Sequence, residues 1–358
     1  MRETRTKGPT SVAIASANAQ RTRKSEETLP KGWSGTGTSQ TSSQRPDQTT
    51  HAATMACPTW GGSKLPPYTA TRIPTLSPVG YRVGHTGDDV RIGIFDSGIG
   101  GLTVLDAIQK ALPGHDLVYL GDTARIPYGT RSPLTVQRYS FRVASWLYAQ
   151  GVDALVIACN TATTHALDGL RAAGAEVGLP VFGVIEPGVQ AALTATRGGG
   201  IAVLGTPGTI EGGAYQRALT ARRPDLNVHG VACPLFVSLV EEGWLEGDVP
   251  RLVAEAYVGH LRGRIDTAIL GCTHYPLLRK VLSEVLPGVT LVDSAQSTAH
   301  ALRAAMGEAS GRGAATFFAT DNTDRFKRVS ALFLASPAVS VSWVDLPEGT
   351  GPFREPDA

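Results

Sequence analysis

Cysteine is scarce in this chain: four residues spread over 358 positions exclude the disulfide framework that staples small secreted domains. Long apolar runs are missing as well. Stretches such as 154–158 and 201–204 fall far short of the roughly 18 to 20 residues that a membrane-spanning helix needs. No apolar signal-peptide core opens the chain, so secretion is not expected. A composition of 42% hydrophobic and 18% charged residues is neither collagen-like nor that of a wholly disordered chain. What remains is a soluble globular protein of a reducing compartment, expected in the cytoplasm without membrane contact, and its length suggests two domains. Lysine is also rare beyond His85, where only Lys110, Lys280 and Lys327 occur.

Net charge is nearly absent at +2, yet residues 1–85 hold 11 basic and 4 acidic residues and leave 22 basic and 27 acidic to the remainder. The two parts are different materials. The first is rich in Ser, Thr, Gln, Gly and Pro, with aperiodic runs such as Ser34-Gly-Thr-Gly-Thr-Ser-Gln-Thr-Ser-Ser43. It cannot bury enough apolar surface to offset the entropy of ordering, so 1–85 is expected to be a disordered tail. Arg2, Arg5, Arg21, Arg23 and Lys24 admit a transit peptide or an arm for an anionic partner. Glu26, Glu27, the prolines and the lack of an amphipathic stripe favour a dispensable tail, and no nucleic-acid partner is required. Met55 would permit a shorter translation product.

From Val90 short continuous apolar runs alternate with helical patterns, at 91–98, 117–120, 154–158, 181–185, 201–204, 228–231, 267–270 and 290–292. Unbroken apolar strands separated by helices indicate parallel sheets buried on both faces, so the class is α/β. An internal repeat runs through them. Asp153-Ala-Leu-Val-Ile-Ala-Cys159-Asn-Thr161 matches Asp266-Thr-Ala-Ile-Leu-Gly-Cys272-Thr-His274, and Ile92-Gly-Ile-Phe-Asp-Ser97 matches Ile201-Ala-Val-Leu-Gly-Thr206. More loosely, 117–122 matches 227–232. A pseudo-twofold duplication of this kind gives two similar α/β domains, and ligands of open parallel sheets bind beyond the carboxyl ends of the strands. Cys159 and Cys272 then face each other across one cleft.

A free cysteine is ordinarily a small buried hydrophobe, and Cys57 and Cys233 are read that way. Two cysteines in matching contexts, followed by Asn160-Thr161 and by Thr273-His274, point instead to chemistry. At a strand end leading into a helix, the N-terminal dipole and free amides favour thiolate, which makes the residue a base or nucleophile. His115, His165, His229, His260 and His300 show no metal-ligand spacing, and no metal site is expected. Asp122 and Arg125 admit either a site role or a structural pair.

Five motifs in order carry a family resemblance: Phe95-Asp-Ser-Gly-Ile-Gly-Gly-Leu-Thr-Val104, Gly121-Asp-Thr-Ala-Arg-Ile-Pro-Tyr-Gly129, Ala158-Cys-Asn-Thr-Ala162, Gly183-Val-Ile-Glu-Pro-Gly188 and Gly271-Cys-Thr-His-Tyr-Pro-Leu277. From about Val90 to Val344 the chain resembles the glutamate racemases, cofactor-independent isomerases that supply D-glutamate to peptidoglycan. Gly212 and Ser238 depart from the family's usual Ser and Pro, outside the chemical residues. The resemblance implies that Cys159 and Cys272 are the acid/base pair, that Asp96 serves Cys159, and that Glu186 with His274 serves Cys272. It further implies that Asp96, Ser97, Tyr128, Gly129, Asn160, Thr161, Thr273 and His274 contact the substrate, glutamate, with no cofactor and no metal. A homo-oligomer, a dimer, is expected. Its architecture implies one domain of 90–185 plus 293–345, a second of 186–292, a hinge near 185–187 and a C-terminal tail of 346–358.

The physics fits that assignment, because inverting a stereocentre needs a base on one face and an acid on the other, and a thiol of pKa near 8.5 is readily tuned to either role. Rival readings remain. A pyridoxal phosphate racemase needs a Schiff-base lysine, and none of the three lysines lies in a motif. A nucleotide-binding module is suggested by Gly98-Ile-Gly100-Gly101, but Thr103 stands where the dinucleotide fingerprint needs its third glycine. A thiol hydrolase using Cys272 and His274 leaves Cys159 unexplained, and a racemase of a related substrate such as aspartate is the nearest alternative.

Overall fold

The computed structural model describes residues 90–336, 338 and 340–356. The expectation of a disordered tail over 1–85 falls outside the described residues. The first stretch runs β1 (Arg91–Asp96), α1 (Leu102–Ala111), β2 (Asp116–Gly121), α2 (Pro133–Ala149), β3 (Ala154–Ile157), α3 (Asn160–Glu176) and β4 (Val181–Gly183). The second runs α4 (Ile185–Ala195), β5 (Gly200–Gly205), α5 (Pro207–Gly212), α6 (Ala214–Arg222), β6 (Val228–Ala232), α7 (Leu235–Glu241), α8 (Asp248–Val258), β7 (Ile265–Gly271), α9 (Arg279–Val285) and β8 (Thr290–Asp293). The chain closes with α10 (Ser294–Met306), β9 (Ala315–Ala319), α11 (Thr323–Ser330) and β10 (Val341–Trp343).

Two all-parallel sheets result, one ordered β10-β9-β2-β1-β3-β4 and the other β6-β5-β7-β8. The duplication is plain in this order. The run β2-β1-β3-β4 has its counterpart in β6-β5-β7-β8, and β9 and β10 extend only the first sheet. Residues Ile92, Ile94, Phe95, Leu155, Val156 and Ile157 are wholly buried, as strands covered by helices on both faces must be. One apolar cluster lines the face toward α1 and α10 and continues into the second sheet through Leu204, Leu270 and Tyr275. A second fills the face toward α2 and α3, and a third packs α4 and α6 on β5 and β7. The lobes built on the two sheets therefore share a core on one side while their strand ends remain apposed. Residues 346–356, which the resemblance sets apart as a tail, lie along α2: Leu346 and Phe353 are buried, and Arg142 pairs with Glu355.

The repeated aspartate has a structural reason. Asp153 accepts the Arg91 backbone N–H at 2.8 Å at the start of β1. Its counterpart Asp266 accepts from Arg197 N, Gly199 N, Thr196 Oγ1 and Thr267 Oγ1, all within 2.9 Å, just before β5. Burial opposes ionisation of Asp266, but these donors outweigh it and hold its pKa down at about 2. Asp266→Asn is expected to destabilise the fold by about 1 to 2 kcal/mol at neutral pH. Because the folded pKa is depressed, this stability is present above the unfolded value of about 3.9 and lost as pH falls through about 2. Thermal melts of variant and wild type should converge as pH falls across that window.

Candidate active site between the two sheets

Equivalent strand ends bring the site together. Asp96 closes β1, Cys159 follows β3 as the N-cap of α3, and Cys272 follows β7. Both thiols are buried, Cys159 at 6% and Cys272 at 7% exposure. Cys159 Sγ accepts the Ala162 N–H at 3.4 Å and donates to Ser97 Oγ at 3.5 Å. Its surroundings differ from the sequence expectation, since the helix terminus does not win. Burial, then the Asp96 carboxylate, push the Cys159 thiol up to about 12 against those two hydrogen bonds, so it stands as the protonated partner.

Cys272 departs in another way. A tight 3₁₀ turn, Tyr275–Leu278, follows it and runs into α9, so no α-helix N-terminus stands at the sulfur itself. An imidazole takes that place. His274 Nδ1 lies 3.8 Å from Cys272 Sγ, and Nε2 lies 3.1 Å from Glu241 Oε1 at the end of α7. Burial would strip the His274 proton, but Cys272 and Glu241 outweigh it and raise the imidazole to about 10. Glu241, despite burial, is held below the usual carboxylate range by His274 and by Arg325, which donates to Oε2 at 2.9 Å. Asp96 moves the opposite way: burial raises it, partly offset by His274 and the Gly98 N–H.

Glu186 is the correction. It begins α4 on the outer side, half exposed and ion-paired with Arg222 of α6, and among the described residues no hydrogen bond or ion pair joins it to Cys272 or His274. The carboxylate that does meet His274 is Glu241, 33 positions upstream on another helix, which no local pattern marks. Thr206 and Thr209 were also missed. Thr161 Oγ1 lies 2.8 Å from Thr206 Oγ1 and 3.1 Å from Thr209 Oγ1, and the repeat that aligns Ser97 with Thr206 was the available signal.

The remaining residues assigned to substrate contact fall around the cleft. Tyr215 OH donates to Asn160 Oδ1 at 2.7 Å and turns the amide nitrogen inward. Among the described residues nothing pairs with the buried Asn160 Nδ2 or Asp96 Oδ1. A buried donor and a buried acceptor left open beside two thiols are what a small zwitterion would satisfy. The Tyr128 hydroxyl is engaged elsewhere, donating to Asp122 at 2.7 Å, and Asp122 also pairs with Arg125. Gly129 is required by close approach: a Cβ there would lie 2.6 Å from Thr206 Cβ. The Gly98–Gly101 turn serves likewise, for a Cβ on Gly100 would collide with Thr273 Oγ1 and His274 Nδ1. It seats one lobe on the other, and Thr103 Oγ1 donates across to the Thr273 carbonyl at 3.1 Å.

Comparison with known proteins matches residues 92–302 to the family described as Asp/Glu/Hydantoin racemase. The glutamate racemase of Aquifex aeolicus (strain VF5) is 49% identical over 245 residues, spanning 68% of this chain and 94% of that protein. The crystal structure of glutamate racemase from Francisella tularensis subsp. tularensis SCHU S4 in complex with D-glutamate is 34% identical, covers 72% of this chain and 98% of its own, and superposes with a TM-score of 0.66. Glutamate racemase from Aquifex pyrophilus is 46% identical over 70% of this chain and 98% of its own, with a TM-score of 0.62.

Proposed function

From the premise that the chain belongs to the Asp/Glu/hydantoin racemase family, we propose that it interconverts L- and D-glutamate by moving a proton at Cα between two opposed thiols, without a cofactor. One observation carries the reading: the duplicated strands β3 and β7 each deliver a buried cysteine to the cleft, one beside a carboxylate and one beside an imidazole. In the L to D direction, the Cys272 thiolate removes the Cα proton and the bonding pair passes into the adjoining carboxylate. The Cys159 thiol then delivers its proton to the opposite face. Exchanging the two roles gives the return reaction.

Asp96 acts as the proton-handling neighbour of Cys159. His274, kept positive by Glu241, presents its charge to the Cys272 sulfur. Ser97, Asn160, Thr161, Thr273 and the backbone at Tyr128-Gly129 hold the substrate's carboxylates and ammonium. Lys110, Lys280 and Lys327 sit on helix surfaces beside Asp106, Glu246 and Asp324, which supports a mechanism without a Schiff base. Among the described residues no helix is long and apolar enough to cross a membrane. The proposal places the enzyme in the cytoplasm as a homodimer whose product feeds peptidoglycan synthesis.

The test is proton NMR of the purified chain with L- or D-glutamate in deuterated water and no added cofactor. The Cα proton should exchange while optical rotation decays to zero, and a chelator or hydroxylamine should not stop it. Binding without exchange would sink the reading, and faster turnover of aspartate would redirect its substrate.

A further inference from the structure

Glu241 occupies an awkward position, because it is the last residue of α7, where the carbonyl end of a helix disfavours negative charge. It is also largely buried, with its side chain 13% exposed. Such a carboxylate needs positive partners at both oxygens. His274 meets Oε1, and among the described residues the one side chain donating to Oε2 is Arg325 of α11. This arginine comes from the other lobe and lies beyond the residues that match the family. Its base is firmly placed: Asn322, in the left-handed region at φ 44°, caps α11 by accepting the Arg325 backbone N–H at 3.1 Å. Phe326 next to it is wholly buried against Tyr119. The guanidinium then crosses to α7, 2.9 Å from Glu241 and 4.0 Å from Glu242.

We propose that Arg325 is a positioning residue, which fixes the Glu241 carboxylate against His274 so that the acid/base group beside Cys272 is complete only when α11 of the first lobe stands against α7 of the second. The inference rests on the assignment of Glu241 and His274 given above. A glutamate bonded at one oxygen keeps rotamer freedom, whereas one held at both presents a single oxygen to Nε2. The side chain of Arg325 makes no bond within α11, so its replacement leaves the helix cap intact.

The experiment uses full-length Arg325→Met, Arg325→Lys, Glu241→Gln and the Met/Gln double variant, with kcat, KM and Tm measured for both enantiomers. Arg325→Met is expected to lower kcat roughly tenfold, a part of the roughly 10² to 10⁴ that a positioned acid or base supplies, with KM and Tm little changed. Arg325→Lys, which keeps one charged donor, should recover most of that loss. In the Glu241→Gln background Arg325→Met should cost nothing more, because its partner is already gone. Wild-type kcat in Arg325→Met, losses that multiply in the double variant, or no recovery with lysine would each overturn the proposal. Full activity in Glu241→Gln would instead overturn the role given to Glu241 itself, so the two failures are distinguishable.

Discussion

Cys159→Ser and Cys272→Ser should each lower racemisation roughly 10³-fold or more, while both proteins stay folded. Serine is nearly isosteric with cysteine and is a favoured N-cap, so at position 159 it keeps the bond from Ala162 N that opens α3. What is lost is the thiol, a far stronger acid than the serine hydroxyl that replaces it, and with it the group that gives or takes the Cα proton on that face. A positioned general acid or base contributes roughly 10² to 10⁴, and racemisation needs one on each face. Because the enantiomers are equal in free energy, kcat/KM must fall by the same factor in both directions. Turnover alone therefore cannot tell the two cysteines apart. The discriminating readout is a one-face event: Cα–H exchange with retention, or elimination from an analogue bearing a leaving group. Cys159→Ser retains Cys272 and should act on the L enantiomer, and Cys272→Ser should act on the D enantiomer. Normal racemisation by Cys159→Ser would leave that residue a packed hydrophobe and reopen the single-nucleophile alternative.

Removing the groups beside the sulfurs should produce the second largest losses, about 10²-fold in kcat/KM, again equal in both directions. Asp96→Asn is expected to suppress exchange of D-glutamate in deuterated water more than that of L-glutamate. His274→Gln should do the reverse. The imidazole also sets a pH signature. Burial works against its proton, but the bonds to Cys272 and Glu241 hold it up to about 10. A raised folded value means that this contribution to stability is full below the unfolded value of about 6.5 and is lost as pH rises through about 10. Glu241→Gln removes one of the two partners, so the alkaline fall in kcat should move to lower pH, and the wild-type advantage in Tm should shrink between about 6.5 and 10. An alkaline limb unmoved by Glu241→Gln would separate His274 from the rate.

Much of this site was legible because its parts are local. Asp96, Cys159 and Cys272 end strands, where a short apolar run followed by a polar residue marks the position, and Thr273-His274 follows Cys272 directly. The duplication supplied the juxtaposition, since equivalent strands must present equivalent ends. Glu186 shows where that reasoning fails. It lies in a motif at the crossing between lobes, but the first turn of α4 aims its side chain at Arg222, and a motif does not record which way a helix faces.

The amino-acid sequence by itself determined the α/β class, the paired strands β1 to β8 and the two opposed cysteines, because apolar periodicity and repeat spacing are properties of neighbours along the chain. Only the tertiary structure decided that the Cys159 thiol is driven up by burial beside Asp96, that Cys272 answers to an imidazole rather than a helix terminus, and that Glu241 and Arg325 stand behind that imidazole. Those outcomes depend on desolvation and on contacts between residues tens of positions apart. Both are set by how α7 and α11 pack across the two sheets, which no local pattern encodes.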